Sequence, residues 1–204
     1  MMHYLTKLLL GPAAMREAGI RDDYSLHRLV YSCFPLSQTE RPARPLYADL
    51  GAKREGRALL ILSEREPVSP AHTSSASTVI SEAFLGFSEY RFEVDLNPVR
   101  RESADGKRRA VTGQLELLQW FLAHAPKWGF EADPRTLEVF GRPARRFVKE
   151  EREYTFNHAF FRGRMRVTEP ELFRRSFLAG LGHGKAFGFG LLRMVPLRGE
   201  QGLQ

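Results

Sequence analysis

HAFFRGRMRVTEPELFRRSFLAGLGHGKAFGFGLLRMVPL, residues 158–197, is the stretch that decides the fold. Its first ten residues alternate, with Phe161, Met165 and Val167 on one face and Arg162, Arg164 and Arg166 on the other, which is the two-residue period of a half-buried strand. Thr168-Glu169-Pro170-Glu171 then reads as a capping box with proline in the first helical turn, so the sequence predicts a helix from there to about Leu178. Residues 180–190 hold five glycines, and LLRMVPL closes the stretch as a strand. Upstream, Tyr90, Phe92, Val94 and Leu96 alternate in a strand that ends at Asn97-Pro98, and a polar arm follows at 99–111. Thr112 is placed to cap a helix to about His124, with Leu115, Leu118 and Leu122 on one stripe and Trp120 and Phe121 beside it. Residues 136–140, TLEVF, form a short strand. Strand, helix, strand, strand, helix, strand is the split βαβ order of a ferredoxin-like unit.

The first half reads β-α-β-β. HYLTKLLL (3–10) is a strand with Tyr4, Thr6, Leu8 and Leu10 on one face and Leu5, Lys7 and Leu9 on the other, able to pair on both sides. Asp22 and Asp23 offer an N-cap to a helix in which Leu26, Leu29, Val30 and Cys33 recur at helical spacing until Pro35. A loop around Pro42 and Pro45 leads to strands at 46–50 and 57–63 joined by a turn at Gly56, and the Ser/Thr-rich stretch 69–81 has no readable period. The expected fold class is α+β, with two tandem ferredoxin-like (βαββαβ) domains. Residues 1–86 carry the first helix, and residues 87–204 carry the arginine-rich strand and the glycine-rich loop.

Composition narrows the function. With 204 residues, 43% of them hydrophobic and 15 of them Phe, the chain can bury a core, which excludes disorder and collagen-like repeats. Cys33 is the single cysteine, so neither an internal disulfide nor a zinc site built on cysteines holds the fold. No run approaches the roughly 20 apolar residues of a membrane span, and Leu8 to Leu10 is too short for a signal peptide's apolar core. A cytoplasmic protein without a membrane partner is expected. Lys and Arg balance Asp and Glu at 12 against 12 over residues 1–100 but stand at 19 against 12 over 101–204, so the net charge of +7 belongs to the second half. Arginine supplies 25 of the 31 basic residues, and its planar fork suits phosphate oxygens. GC-rich coding explains that ratio but not its concentration in one half, and a polyanion is the natural partner.

Three features could carry chemistry. Tyr24, His27 and Tyr31 share the side of the first helix away from its buried stripe, which places an imidazole between two phenols for proton transfer near neutral pH or, more blandly, at an ordinary surface. The glycine loop, with Gly182, His183, Gly184 and Lys185 at its tip, either offers consecutive N–H groups to phosphate or makes a tight helix-to-strand crossing. It follows a helix and leads into a strand, the reverse of a dinucleotide fingerprint, and it is not a Walker loop. In the third feature Arg142, Arg145, Arg146, Lys149, Arg152, Arg162, Arg164 and Arg166 stand against three glutamates. Arginines at period two on a strand repel unless an anion lies among them, so a phosphate backbone could follow the row, with the preceding loop projecting as a hairpin. Arg100, Arg101, Lys107, Arg108 and Arg109 form a second cluster on the polar arm.

Taken together, GLGHGKAFGFGLL followed by MVPL, the N-terminal HYLTKLLL, the DDYSLHRLVY helix and the LNPVRR and GKRRAV segments resemble the CasE family, CRISPR-associated repeat-processing endoribonucleases of the type I-E system. The resemblance runs nearly end to end. It implies tandem ferredoxin-like domains and metal-independent cutting of CRISPR repeat RNA at the base of its hairpin, with no cofactor, the enzyme staying on the product as a Cascade subunit. It also implies a catalytic role for His27 with Tyr24 beside it, and RNA contact at the glycine loop. The rival readings are a non-catalytic RNA-binding subunit of the same superfamily, which needs no histidine beside Tyr24, and an unrelated enzyme of small phosphorylated metabolites, which leaves the arginine rows without purpose.

Overall fold

A computed structural model describes residues 2–35, 44–102 and 106–197. The loop expected at Pro42 and the side chain of Lys149 lie outside the described residues.

The alternation of the first strand, β1 (Tyr4–Leu10), is used as read, because both its edges are paired. It runs antiparallel to β3 (Gly56–Ser63) on one side and to β4 (Thr73–Val79) on the other, and β2 (Leu46–Lys53) completes the order β2-β3-β1-β4. That is the ferredoxin-like order. Two helices, α1 (Pro12–Glu17) and α2 (Asp23–Ser32), fill the first crossover, whereas residues 64–72 link β3 to β4 without the second helix of the expected plan. The Ser/Thr-rich stretch is strand β4, an edge whose side chains are mostly exposed and which joins β1 through the Thr6–Ser77 hydroxyl pair at 2.9 Å. An edge without an apolar face leaves no hydrophobic period to read. Asp22 caps α2 by accepting from the Ser25 amide at 2.8 Å, and the Ser25 hydroxyl accepts from the Asp22 amide at 3.0 Å. The predicted stripe of Leu26, Leu29, Val30 and Cys33 is buried against Leu8, Leu10, Tyr47, Leu59 and Ile61.

The second sheet has the order β11-β5-β10-β8, built from β5 (Glu89–Leu96), β8 (Phe130–Ala132), β10 (Arg152–Val167) and β11 (Arg193–Pro196). The strand read at 136–140 is the start of a longer one, β9 (Glu138–Lys149), which forms a long hairpin with β10 and shares with β8 the place of the second ferredoxin-like strand. Helices α4 (Gln114–His124) and α5 (Pro170–Ala179) bury Leu117, Phe121, Phe173 and Phe177 against it. A short helix, α3 (Glu82–Leu85), lies between the two sheets in sequence. The polar arm is a ribbon, β6 (Val99–Arg101) with β7 (Arg108–Ala110), which sets Arg100 opposite Arg109 and Arg101 opposite Arg108. Asn157 anchors its base by donating to the Pro98 and Val111 carbonyls at 3.1 and 2.6 Å.

Two local expectations are corrected. Helix α4 starts after Gly113 rather than Thr112, and its buried residues are Leu117 and Phe121, while Leu115 is 68% exposed. No capping box forms at Thr168; the N-cap of α5 is Glu169, and the Thr168 and Glu169 amides both donate to the Gly129 carbonyl at 3.0 Å. Gly129 fixes that start, since at φ 85° a Cβ there would sit 2.4 Å from the Phe173 nitrogen.

A buried polar network ties the hairpin to the sheet. His158 Nε2 lies 2.7 Å from Asp95 Oδ1, Arg193 donates to Asp95 Oδ2 at 2.9 Å, and Arg145 Nε reaches His158 Nδ1 at 3.4 Å. Burial holds the His158 imidazole below its usual range despite the Asp95 contact. Burial alone would raise the Asp95 carboxyl, but His158 and Arg193 hold it below the ordinary carboxylate range.

Phe121 is fully buried and stacks between Phe92 at 5.4 Å and Phe161 at 4.7 Å. Phe121→Ala is expected to cost about 3–5 kcal/mol in urea unfolding. Because the folded chain resists protonating His158, acid favours the unfolded state below about pH 6.5, the unperturbed imidazole value. Asp95 adds a loss of the same sign below its unfolded pKa of 3.8. Unfolding free energy should therefore fall from pH 7 to pH 5, and His158→Gln should flatten that slope; an unchanged slope in the variant would assign it elsewhere.

Candidate active site

Helix α2 presents Tyr24, His27 and Tyr31 at i−3, i and i+4, all half-buried, to the glycine loop rather than to open solvent. His27 Nδ1 lies 2.7 Å from the carbonyl oxygen of Ala186 in that loop. A carbonyl only accepts, so Nδ1 carries the proton in this bond and the neutral ring keeps its lone pair on Nε2. The imidazole centroid is 4.3 Å from the Tyr31 ring, 4.9 Å from Phe187 and 6.0 Å from Tyr24. Tyr24 is itself stacked between His27 and Phe147 of β9, both at 6.0 Å, and Phe147 meets Phe187 at 4.5 Å. Three segments far apart in sequence thus share one aromatic cluster.

Arg145 locks the same three segments. Its guanidinium donates to Asp23 on α2 at 3.3 Å and to the Phe187 carbonyl at 2.9 Å, and lies 4.4 Å over the Phe189 ring. Only 13% of its side chain is exposed, so it serves as an internal clamp rather than as the exposed phosphate ligand expected of it. Burial raises the Asp23 carboxyl, and the nearby Arg145 charge opposes that shift.

All five glycines of the loop have positive φ. At Gly190 a Cβ would fall 2.3 Å from the Leu181 carbonyl oxygen, so much of the loop's glycine content serves close backbone packing. Gly182 and Gly184 lie at the loop's tip with φ of 68° and 81°. Lys185 Nζ donates to Ala179 O at 2.8 Å and caps the end of α5, and burial lowers its pKa. His183 is exposed, and burial together with the Arg108, Lys185 and His124 charges keeps its pKa low.

The other predicted basic residues divide. Arg142 lies 5.1 Å over the Phe160 ring with its head half-exposed, and Arg146 is exposed on the hairpin. Arg162, Arg164 and Arg166 occupy the same face of β10 as Phe156 and His158. Phe156 touches Phe187, so Arg162 lies about 20 Å farther along the strand from the His27 cluster. The anion their spacing demands comes from the protein: Arg162 pairs with Glu138 at 2.8 Å and Arg166 with Glu89 at 3.0 Å. Arg164 stands opposite Arg91. Sequence reasoning missed Phe147, Phe187, the Ala186 carbonyl and Asp23. Phe187 lay within the glycine loop already singled out, whereas nothing in the sequence marks a backbone carbonyl as a histidine's partner.

The model of the CRISPR associated protein family matches residues 3–196. The chain is 27% identical to the CRISPR-associated endoribonuclease Cse3 of Thermus thermophilus over 95% of its own length and all of that protein's. Among solved structures it is similar to Thermus thermophilus Cse3 bound to an RNA representing a pre-cleavage complex, with 26% identity, a TM-score of 0.79 and coverage of 96% and 100% of the two chains. It shares the fold of Cas6e from Escherichia coli K-12, with 20% identity, a TM-score of 0.72 and coverage of 95% and 100%. With a family model that runs from the first strand to the last, and with tandem ferredoxin-like sheets joined at a histidine-bearing helix, the chain belongs to the CRISPR associated protein family.

Proposed function

We propose that this chain is an endoribonuclease that cuts CRISPR repeat RNA at the base of its hairpin without a metal ion and remains on the product as a subunit of the Cascade surveillance complex, in the cytoplasm. Its units are residues 1–86, which bring the catalytic helix, and 87–204, which bring the hairpin and the glycine loop. The observation that supports the reading is the 2.7 Å bond from His27 Nδ1 to Ala186 O, which takes up one ring nitrogen and assigns proton transfer, in this reading, to Nε2. The relative at 27% identity is named a CRISPR-associated endoribonuclease, and a structure similar to this chain is an RNA-bound pre-cleavage complex.

The chemistry follows from RNA itself. A 2′-hydroxyl attacks the neighbouring phosphorus, the 5′ oxygen leaves, and the products are a 2′,3′-cyclic phosphate and a 5′-hydroxyl. The neutral His27 ring, with its lone pair on Nε2, can accept the 2′ proton, and the imidazolium can return one to the departing 5′ oxygen. Tyr24, three residues earlier on the same helix face, supplies a hydroxyl to hold a phosphoryl oxygen as charge builds on it. Gly182, His183, Gly184 and Lys185, one to four residues before Ala186, take the RNA beside the cleavage centre rather than at it. Arg142, Arg146 and Lys149 on the hairpin and the Arg162, Arg164 and Arg166 face grip the stem, while Arg145 holds the hairpin against the catalytic helix. Duplex RNA is read mainly by shape and phosphate, which suits an arginine-rich hairpin.

Cleavage of a labelled repeat hairpin should proceed in EDTA to those two products. His27→Ala should slow it by at least about 100-fold, the low end for a lost acid–base group, with RNA affinity within about twofold of wild type. Binding without cutting by the wild-type chain would favour the non-catalytic subunit instead. A second measurement separates the arginines: removing a cation that neutralises one phosphate should reduce the slope of log K against log salt by about 0.7–0.9. Arg146→Ala should show that reduction, whereas Arg162→Ala, whose charge Glu138 already offsets, should change the slope less.

A further inference from the structure

The glycine loop has a second side. Away from His27 it closes a cleft of about 560 Å³, within the range of small-ligand sites, between the end of α4, the α5 helix and the base of the arginine ribbon. One wall is aromatic. The Trp120 and His124 rings stack at 4.2 Å and 25°, His124 Nδ1 is bound to the Trp120 carbonyl at 2.7 Å, and Trp120 Nε1 donates to the Val99 carbonyl at 3.1 Å, so the platform is held from both ends. Trp128 stands edge-on to Trp120 at 6.2 Å. The facing wall is basic and polar, with Arg175 and Ser176 from α5 and His183 from the loop, and the described lining residues include no carboxylate. Arg108 of the ribbon lies close enough for its charge to act on His183.

From this geometry we infer that the cleft is a subsite for single-stranded RNA, taking an unpaired nucleotide that adjoins the hairpin. Its base lies against the tryptophan wall and its phosphate between Arg175 and His183. The inference rests on the endoribonuclease reading and deepens it. Aromatic faces accept any base, and convergent cations without a carboxylate select the anionic backbone over a neutral ligand. Position supports the same occupant. His183 is three residues before Ala186, whose carbonyl holds His27, so at most about 11 Å of backbone separates the cleft from the cleavage centre. A strand leaving the base of a stem at His27 can enter the cleft directly. The paired stem cannot, because its bases are already stacked.

Trp120 and Trp128 are the chain's two tryptophans, so their emission reports on this cleft alone. The full chain would be titrated with two repeat hairpins carrying 2′-deoxyribose at the cut, one bare and one extended by six unpaired nucleotides, and with inorganic polyphosphate. The extended RNA should quench tryptophan emission and bind at least about fivefold more tightly than the bare hairpin, the worth of one stacked base. Arg175→Glu should abolish that difference while leaving affinity for the bare hairpin within about twofold of wild type. Equal affinity for the two RNAs without quenching would overturn the subsite and leave the endoribonuclease reading standing. Equal quenching by polyphosphate would overturn it as well, since a site for a base cannot be filled by phosphate alone. If neither RNA binds, the endoribonuclease reading falls with it.

Discussion

One guanidinium, that of Arg145, holds the arrangement around His27 together. It lies on the hairpin and is bonded at once to Asp23, one residue before Tyr24, and to the Phe187 carbonyl, one residue after the carbonyl that binds His27. A nearly buried cation is tolerated only when its donors are matched, and here a carboxylate, a carbonyl, an imidazole and an aromatic face match them. Breaking such a buried pair typically costs about 3–5 kcal/mol, enough to favour a rearranged hairpin over an orphaned charge. The orientation of His27 is therefore a tertiary property. Its helix supplies the residue, but the loop and hairpin fix which nitrogen is bonded to the backbone.

Sequence legibility followed the physics of each segment. Where one face is buried, period and burial agree: Tyr90, Phe92, Val94 and Leu96 of β5 are all buried, and so are Leu26, Leu29, Val30 and Cys33 of α2 and its C-cap. Where a strand is an exposed edge, as β4 is, no period exists to be read. At α4 the helix was legible but its buried stripe was not, because most positions from Leu115 to Leu122 are apolar and only packing against Phe92 and Phe161 selects Leu117 and Phe121. The pairing of Tyr24 and His27 on one face was legible from spacing. Its partners Phe147 and Phe187 were not, since they arrive from segments more than a hundred residues away.

The arginine row shows why charge counted along a sequence is not charge presented to a ligand. The spacing of Arg162, Arg164 and Arg166 does create a repelling row, but antiparallel pairing sets Glu93 and Glu89 of β5 opposite Arg162 and Arg166, and β9 adds Glu138. Opposed charges across a ladder stabilise the sheet, and like charges there destabilise it. Arg164 stands opposite Arg91 but lies close enough to Asp133 for its charge to help hold that carboxyl below its usual range. The ribbon is the contrary case, since Arg100 faces Arg109 and Arg101 faces Arg108. Among the described residues, Glu102 pairs with Arg109 at 2.6 Å. Exposed arginines therefore stand on the hairpin at Arg142 and Arg146 and on the ribbon at Arg100, Arg101 and Arg108.

That loop has to serve two demands that compete for the same backbone. Its amides at Leu181, Phe187 and Gly190 are spent on the carbonyls of Gly190, Gly184 and Asp95, and its left-handed glycines let it press against Leu46 and Tyr47 of the first sheet. A segment that packs so closely cannot open to wrap a ligand. At Gly182 the packing is looser, the nearest atom being Leu96 Cδ2, 3.7 Å from where a Cβ would be. Lys185 is turned back onto α5, and His183, Arg108 and Arg175 stand beside that tip. The loop therefore packs closely on the side that holds His27 and borders an open cleft on the side of the tryptophans.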